Sequence, residues 1–338
     1  MKKKILVIGA GKFAQVFQLP NIKKLNFDLY GICDPRNKLV KKVAKLYNFK
    51  RYYNNINDAL KIKYDIIFLF SSRLSSYEII KEIIKKHNHN SIIFSEKPSV
   101  FNLKQSMFIK KLINNSKLKF ISGYMLRYDK MVIEFKEILK NRNFEKKFGK
   151  ILNVNCSINN NKLYSKPYRY IRTQENKDFN FDKNQFPKHL SSKLKVNYHV
   201  FINRYSHLIN LINFYFKIKK IEKFQIKDIY NYNATMITNF KVYAKFRNER
   251  NYVIKFDVKT KNYLLRLILY NPALIMNSKI KIFKFGKLIK ARSSKTDVFF
   301  SEIKDIVNLS KKSKTTEKNL FEDFTIIDSL WNTNEIDH

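Results

Sequence analysis

The stretch ILVIGAGKFA, Ile5 to Ala14, decides the fold of the N-terminal third of the chain. Its apolar residues from Ile5 to Ile8 are typical of a buried strand, and they run directly into a glycine turn. Gly9 allows a tight turn, Gly11 lets the backbone approach a ligand, and Ala14 keeps the following helix close to the strand. Only six glycines occur in the chain, and two of them lie in this turn. The pattern predicts a strand, a phosphate-binding turn and a helix.

Asp34 supports a dinucleotide as the ligand. It follows the next apolar run, Leu29 to Cys33, about 20 residues after the turn, where a carboxylate accepts a hydrogen bond from a ribose hydroxyl. Because a carboxylate repels a 2′-phosphate, Asp34 favours NAD, whereas Arg36 would compensate and admit NADP. We therefore expect NAD as cofactor, with NADP possible. A tight turn without any ligand is the alternative that the residues leave open.

Strands and helices alternate through the rest of this region. Apolar runs at Ile66 to Phe70 and Ile92 to Phe94 are typical of buried strands, and the segments Lys38 to Tyr47 and Tyr77 to His87 carry apolar residues at helical spacing. Such alternation indicates a parallel, doubly wound sheet. The sequence predicts an α/β fold that begins with a Rossmann domain over residues 1–123.

The pattern changes after Gly123. A helix from about Asp129 to Asn141 is followed by strand-like segments and two closing helices. The expected strands are Ile151 to Ile158, Ile218 to Lys227, Thr235 to Phe246, Tyr252 to Val258 and Leu264 to Tyr270. This predicts a second α+β domain over residues 124–338 with a large, mostly antiparallel open sheet. The polar segment from Asn159 to Val196 is expected to be a long excursion of that domain.

Composition narrows the function classes. The chain has 338 residues and a formal net charge of +41, but its lysines are spread throughout and no nucleic-acid-binding motif occurs. We expect no specific nucleic-acid partner, although a basic surface would concentrate a phosphorylated small substrate. Cys33 and Cys156 are expected to be buried free thiols, no metal site is implied, and no apolar run is long enough to span a membrane. These features predict a cytoplasmic protein.

Short motifs along the whole chain resemble those of the Gfo/Idh/MocA oxidoreductases, which include glucose-fructose oxidoreductase and inositol dehydrogenase. The resemblance includes the glycine turn, Asp34 and Glu96-Lys97-Pro98 after the fifth strand. It continues through GYMLRY (Gly123 to Tyr128), KKFGKILNV (Lys146 to Val154) and SHLINLINF (Ser206 to Phe214). The resemblance implies hydride transfer between a nicotinamide and a ring carbinol carbon of a sugar, cyclitol, sugar phosphate or nucleotide-linked sugar. It also implies a homodimer or homotetramer formed through the C-terminal sheet.

The family pattern assigns roles to particular residues. Lys97 and His207 match the lysine and the histidine that flank the reacting hydroxyl, so both are expected to be catalytic and to contact substrate. We expect Arg127, Arg169, Arg172 and Asn203 to bind substrate too, the two arginines of SKPYRYIR being suited to a phosphate. A buried structural arginine at 127 and a solvated loop at 169 and 172 remain alternatives. The expected dinucleotide contacts are Gly9, Gly11, Lys12, Phe13, Ala14, Asp34, Arg36, Ser71, Glu96 and Lys97.

The chain departs from the family pattern on the helix that carries His207. The family has Asp-x-Gly-x-His-x-x-Asp, whereas this chain has Asn203, Tyr205, His207 and Asn210, so that both carboxylates are amides. An amide does not titrate and cannot accept a proton in place of a carboxylate. A catalytically silent family member, acting as a sensor or assembly partner, is therefore the alternative function.

Overall fold

The computed structural model describes residues 2–87, 89–160, 168–175, 186–187, 189–249, 251–307 and 317–336. The chain forms two compact units. The first comprises Met1–Tyr124, Lys166–Lys188 and Glu302–Phe321, and the second comprises Met125–Ser165, His189–Ser301 and Glu322–His338. The long N-terminal segment of the first unit ends next to the expected boundary at residue 123. That independently folding domains divide there stays a prediction.

The first unit contains a parallel sheet of six strands in the order β3-β2-β1-β4-β5-β6. The strands are β1 (Lys4–Ile8), β2 (Asp28–Cys33), β3 (Arg51–Tyr53), β4 (Ile66–Leu69), β5 (Ile92–Glu96) and β6 (Lys119–Gly123). A π-helical turn, Ala14–Gln18, continues as α1 (Leu19–Lys23) and is followed by α2 (Asn37–Tyr47), α3 (Ile56–Ala59), α4 (Arg73–Lys86) and α5 (Leu103–Asn114). This strand order is that of a dinucleotide-binding Rossmann fold, so the predicted fold class is confirmed.

The second unit is built on nine strands in the order β14-β13-β12-β11-β7-β10-β9-β8-β15. Among the described strands of this unit, only the pairs β7/β10 and β8/β15 are parallel, which confirms a mostly antiparallel sheet. The strands are β7 (Asn153–Asn159), β8 (Lys220–Ile226), β9 (Tyr232–Ile237), β10 (Lys241–Arg247), β11 (Val253–Lys259), β12 (Tyr263–Tyr270), β13 (Asn277–Lys284), β14 (Lys287–Lys295) and β15 (Asn334–Ile336). The helices are α6 (Lys130–Lys140), α7 (Phe144–Phe148), α8 (Ser192–Tyr215), α9 (Val298–Val307) and α10 (Glu317–Asn332). The end of α9 and the start of α10 lie within Glu302–Phe321, which belongs to the first unit.

Three expectations about these elements are wrong. The segment Thr235 to Phe246 is a hairpin of β9 and β10 rather than one strand. Two strands, β13 and β14, precede the closing helices and were not expected. Residues 168–175, expected in an excursion of the second domain, belong to the first unit.

Apolar burial explains where the helices pack in each unit. In the first unit, Ile303 and Ile306 of α9 join a core that includes Val7 of β1 and Phe94 of β5. In the second unit, Phe201 of α8 packs edge-on against Trp331 of α10, and both side chains are at most 1% exposed. Within the described part of the chain, no helix is both long enough and apolar enough to cross a membrane.

Candidate active site

The turn after β1 depends on a glycine at position 9. Gly9 has φ +100°, and a Cβ placed on it would lie 2.6 Å from the backbone carbonyl of Phe70 and 2.8 Å from the backbone nitrogen of Ser71. Its N–H donates to the carbonyl oxygen of Cys33 at 2.8 Å. Any larger residue would clash with backbone, which cannot move aside. The turn therefore lies directly beside Ser71, at the carboxyl ends of β1, β2 and β4.

Gly11 has a different environment from Gly9. Among the described residues, a Cβ on Gly11 would have only the Arg36 guanidinium within 4 Å, at 3.9 Å. The fold itself therefore does not require a glycine here, whereas a phosphate group approaching the backbone would. Ala14, next in the motif, is fully buried. This space above Gly11, at the start of a helical segment, fits the pyrophosphate of a dinucleotide.

The Asp34 carboxylate, which is expected to accept a hydrogen bond from a ribose hydroxyl, already accepts several hydrogen bonds from the protein. Its Oδ2 accepts from the Ala10 N–H at 2.8 Å and from Arg36 Nη2 at 2.8 Å, while its Oδ1 accepts from the Arg36 N–H at 3.1 Å and from Arg36 Nε at 2.8 Å. A carboxylate has about four acceptor positions, so a ribose hydroxyl must displace one donor. The Arg36 side chain is the donor that can rotate away.

The segment from Tyr168 to Glu175 lies against the glycine turn and was not expected there. The amide of Gln15 donates to the carbonyl of Ile171 at 3.1 Å and accepts from the Ile171 N–H at 2.8 Å. Glu175 accepts from the Lys38 N–H at 2.8 Å and from the Leu39 N–H at 3.0 Å, which caps α2. No motif in the sequence marks Gln15 or Glu175, because their partners are distant in the chain.

This segment also places basic side chains near the turn. Lys12 Nζ lies 5.5 Å from the centre of the Tyr170 ring, and the Arg172 guanidinium lies 4.5 Å from the same ring. Arg172 and Arg169 are both exposed. Phe13 packs against Phe17, with ring centres 5.5 Å apart. The structure thus brings Lys12 and Arg172 together on one tyrosine beside the expected pyrophosphate position.

Lys97 follows β5, at the same edge of the sheet as the glycine turn. Its backbone N–H donates to Glu96 Oε2 at 3.1 Å, and Gln18 Nε2 donates to Glu96 Oε1 at 2.7 Å. The peptide bond between Lys97 and Pro98 is cis. Burial raises the pKa of Glu96 to about 7, against the lowering influence of Lys97 and of the Gln18 amide. Both oxygens of this carboxyl group are thus used to hold the start of the Glu-Lys-Pro segment.

Arg127 is buried within the second unit. It is 2% exposed, its Nε donates to Asn210 Oδ1 at 2.7 Å, and its Nη2 donates to the Asn210 carbonyl at 3.2 Å. Its guanidinium also lies 4.5 Å from the centre of the Phe214 ring. Asn210 Nδ2 in turn donates to Asp323 Oδ2 at 2.6 Å. We call Arg127, Asn210 and Asp323 the arginine network.

His207 and Asn203 lie on α8. His207 is 3% exposed, and Asn203, one helical turn earlier, is half-buried. Tyr205 between them is buried and its hydroxyl donates to the carbonyl of Tyr230. Asn210 belongs to the arginine network, so only Asn203 of the two substituted positions is left as a candidate substrate contact on this helix.

The comparisons with known proteins agree with this geometry. Residues 3–124 match the family model described as "Oxidoreductase family, NAD-binding Rossmann fold", named GFO_IDH_MocA. Over these residues the expected resemblance to the Gfo/Idh/MocA oxidoreductases is confirmed, and the match supports a nicotinamide-dependent dehydrogenase or reductase. No curated protein sequence matches the chain.

Solved structures show the same fold over the whole length. A dehydrogenase from Clostridium difficile is 19% identical, with a TM-score of 0.70 over 98% of this chain and 99% of that chain. A 3-ketoreductase from Actinomadura kijaniata, in complex with NADP and TDP-benzene, is 12% identical, with a TM-score of 0.74 over 99% of each chain. An oxidoreductase from Agrobacterium radiobacter, in complex with NAD+, L-tartaric acid and magnesium, is 11% identical, with a TM-score of 0.72 over 98% of this chain and 96% of that one. At these identities the likeness establishes the fold.

Proposed function

We propose that this protein transfers a hydride between NAD or NADP and a ring carbinol carbon of a sugar derivative, and that the sugar carries a phosphate or a nucleotide. The observation that carries the proposal is the glycine turn, open above Gly11, at the same sheet edge as Lys97. Ligands of such open α/β sheets bind outside the carboxyl ends of the strands. A lysine at this edge is therefore distinguished by its position from the many lysines elsewhere in the chain.

The proposed reaction needs one hydride and one proton to leave the substrate. The C–H bond breaks as the hydride leaves, the O–H bond breaks as the proton leaves, and the carbinol becomes a carbonyl. The bound nicotinamide supplies the hydride acceptor, or the donor in the reverse direction. Lys97 and His207 are the groups that we propose to hold and move the proton, a task suited to a histidine near neutral pH.

A charged substrate is favoured by the basic side chains of the first unit. Arg169 and Arg172 are exposed, and a guanidinium binds phosphate through paired hydrogen bonds. The 3-ketoreductase of the same fold was crystallised with TDP-benzene, a nucleotide-linked ligand. Because Arg172 and Lys12 share Tyr170 beside the glycine turn, we propose the dinucleotide pyrophosphate as their first ligand and Arg169 as the contact to substrate phosphate.

Assembly and location are part of the same proposal. Tyr243 on β10 and Leu152 just before β7 are exposed apolar side chains on the sheet of the second unit, at 38% and 57%. They support a homodimer or homotetramer through this sheet. The buried free thiols Cys33 and Cys156 support a reducing, cytoplasmic compartment.

A substrate screen tests the proposal. The purified protein is incubated with NAD or NADP and with free sugars, cyclitols, sugar phosphates or nucleotide sugars, and the reduced nicotinamide is followed by absorbance. Turnover with phosphorylated or nucleotide-linked sugars is the expected result. Turnover confined to uncharged polyols contradicts the substrate class. Dinucleotide binding without turnover across the screen supports the silent family member instead.

A further inference from the structure

Glu302, on α9, is a fully buried acid to which the proposed reaction gives no role. It is 0% exposed, and neither of its carboxyl oxygens has a hydrogen-bond donor among the described residues. An ionised carboxylate in such a place would lose its hydration without compensation. A protonated acid tolerates the absence of donors better, because it carries no charge and donates a hydrogen bond itself.

Gln18 provides the acceptor for that proton. It is also 0% exposed, and its Oε1 has no donor in the described part of the chain, although its Nε2 donates to Glu96. The Gln18 side chain lies within hydrogen-bonding reach of Glu302. Two buried oxygen atoms that can only accept, Gln18 Oε1 and an oxygen of an ionised Glu302, do not bond to each other. One proton on Glu302 gives Gln18 Oε1 its donor and leaves the carboxyl group uncharged.

The charges around Glu302 favour the protonated form. Burial, and after it the negative charge of Glu96, raises the pKa of Glu302 well above its ordinary value, against the lowering influence of the Gln18 side chain. Asp305, on the same helix, acts in the same direction, and the positive charge of Lys97 acts on Glu96. When two carboxyl groups interact closely, the one with less solvent keeps the proton.

We infer that Glu302 carries a proton in the native protein and donates it to Gln18 Oε1, which turns the Gln18 amide toward Glu96 and fixes the backbone from which Lys97 emerges. Glu302 and Gln18 are thus positioning residues, acting in the order Glu302, Gln18, Glu96, Lys97. The last step, the effect on Lys97, rests on the proposed function. The protonation of Glu302 does not.

Infrared spectroscopy tests the proton without any substrate. At about pH 8, one unit above the pKa of Glu96, the carbonyl stretch of a buried protonated acid should be present in the wild-type protein. Glu302→Gln should remove this band, whereas Asp305→Asn, one helical turn away, should leave it. A wild-type spectrum that Glu302→Gln leaves unchanged would overturn the inference.

Stability against pH provides a second, independent measurement. A carboxyl group whose pKa is raised by folding stabilises the native state below its unfolded pKa of about 4.3, and this contribution is lost as the pH rises toward the folded value. Glu302→Gln keeps the donor but cannot ionise. In wild type the free energy of unfolding should fall as the pH rises above about 4.5, with a slope that corresponds to roughly one proton released from Glu302 on unfolding. The variant should lack this part of the slope. An identical pH dependence in the two proteins would contradict a raised Glu302 pKa.

Steady-state kinetics test the positioning of Lys97. With a turned-over substrate, Glu302→Gln should keep kcat within about twofold of wild type, because its amide still donates to Gln18. Glu302→Ala should lower kcat by about tenfold with dinucleotide affinity unchanged. Gln18→Met, which breaks the same chain but leaves the acid, should match Glu302→Ala and replaces it if that variant does not fold. Equal kcat values in all three variants would overturn the positioning role. If no substrate is turned over, the proposed function fails while the spectra still decide the protonation.

Discussion

The glycine turn of the first unit and helix α8 of the second differ in how clearly their sequences indicate their roles. In the turn, the backbone conformation requires a glycine, because Gly9 has a positive φ and no room for a Cβ. The glycine motif is therefore present unchanged in the sequence. On α8, the requirement comes from partner side chains, and Asn210 meets it through Asp323 of α10. A motif that the backbone conformation requires can be recognised in the local sequence. A motif that depends on side-chain partners can lose its usual residues while the hydrogen-bond network is kept.

The largest expected effect concerns the two residues proposed to move the proton. Lys97→Ala and His207→Ala should each lower kcat by on the order of 10² to 10⁴, because proton transfer by a positioned group contributes that much. Dinucleotide affinity should change little. Lys41→Ala, at an exposed position on α2, is the matched control and should leave kcat unchanged. Near-normal turnover by Lys97→Ala on an identified substrate would remove the catalytic role of this lysine.

The next effect tests whether Asn210 is a structural residue or the remnant of a proton relay. Asn210→Asp keeps an acceptor for Arg127 but removes the donor to Asp323 and places two carboxylates side by side. Denaturant unfolding should show a loss of about 1–3 kcal/mol. The double variant Asn210→Asp with Asp323→Asn restores one amide and one carboxylate, and it should recover most of that loss.

The two interpretations of Asn210 predict opposite results. If the amide marks a lost catalytic carboxylate, Asn210→Asp alone should raise kcat without loss of stability. That outcome would contradict the arginine network as the reason for the amide.

A smaller effect is expected from Arg36. Its guanidinium pairs with Asp34 through contacts at 2.8 Å, and an arginine near this acidic residue is the group that accommodates a 2′-phosphate in Rossmann folds. Arg36→Ala should weaken NADPH binding by about tenfold and NADH binding much less, since a charge-assisted hydrogen bond contributes about 1.5 kcal/mol or more. Fluorescence titration with both cofactors measures the ratio. Equal losses for the two would show that Arg36 does not discriminate between them.

Several features could be predicted from local sequence because their physical cause is local. The strands β1, β2, β4 and β5 each contain a short apolar run, and a buried parallel sheet requires such runs. Their order along the chain then places Asp34, Ser71 and Lys97 at one edge of the sheet.

Other features have causes that are not local. Strand β14 is exposed along nearly its whole length and is rich in lysine, so it lacks an apolar period. The turn between β9 and β10, Thr238 to Phe240, contains no glycine or proline, and the hairpin therefore resembles one long strand. The contacts of Glu175, Glu302 and Asp323 join residues far apart in the chain, and no single sequence pattern marks them.

The most direct test of the central claim, that the glycine turn binds a nicotinamide dinucleotide, compares Gly9 and Gly11 by NADH titration. Wild type should bind NADH saturably. Gly11→Ala should fold with stability within about 0.5 kcal/mol of wild type, because its Cβ enters open space, yet lose at least about tenfold in NADH affinity. Gly9→Ala should lose more than about 2 kcal/mol of stability, because its Cβ meets backbone. If wild type bound neither NADH nor NADPH at about millimolar concentration, or if Gly11→Ala bound as tightly as wild type, the claim would be contradicted.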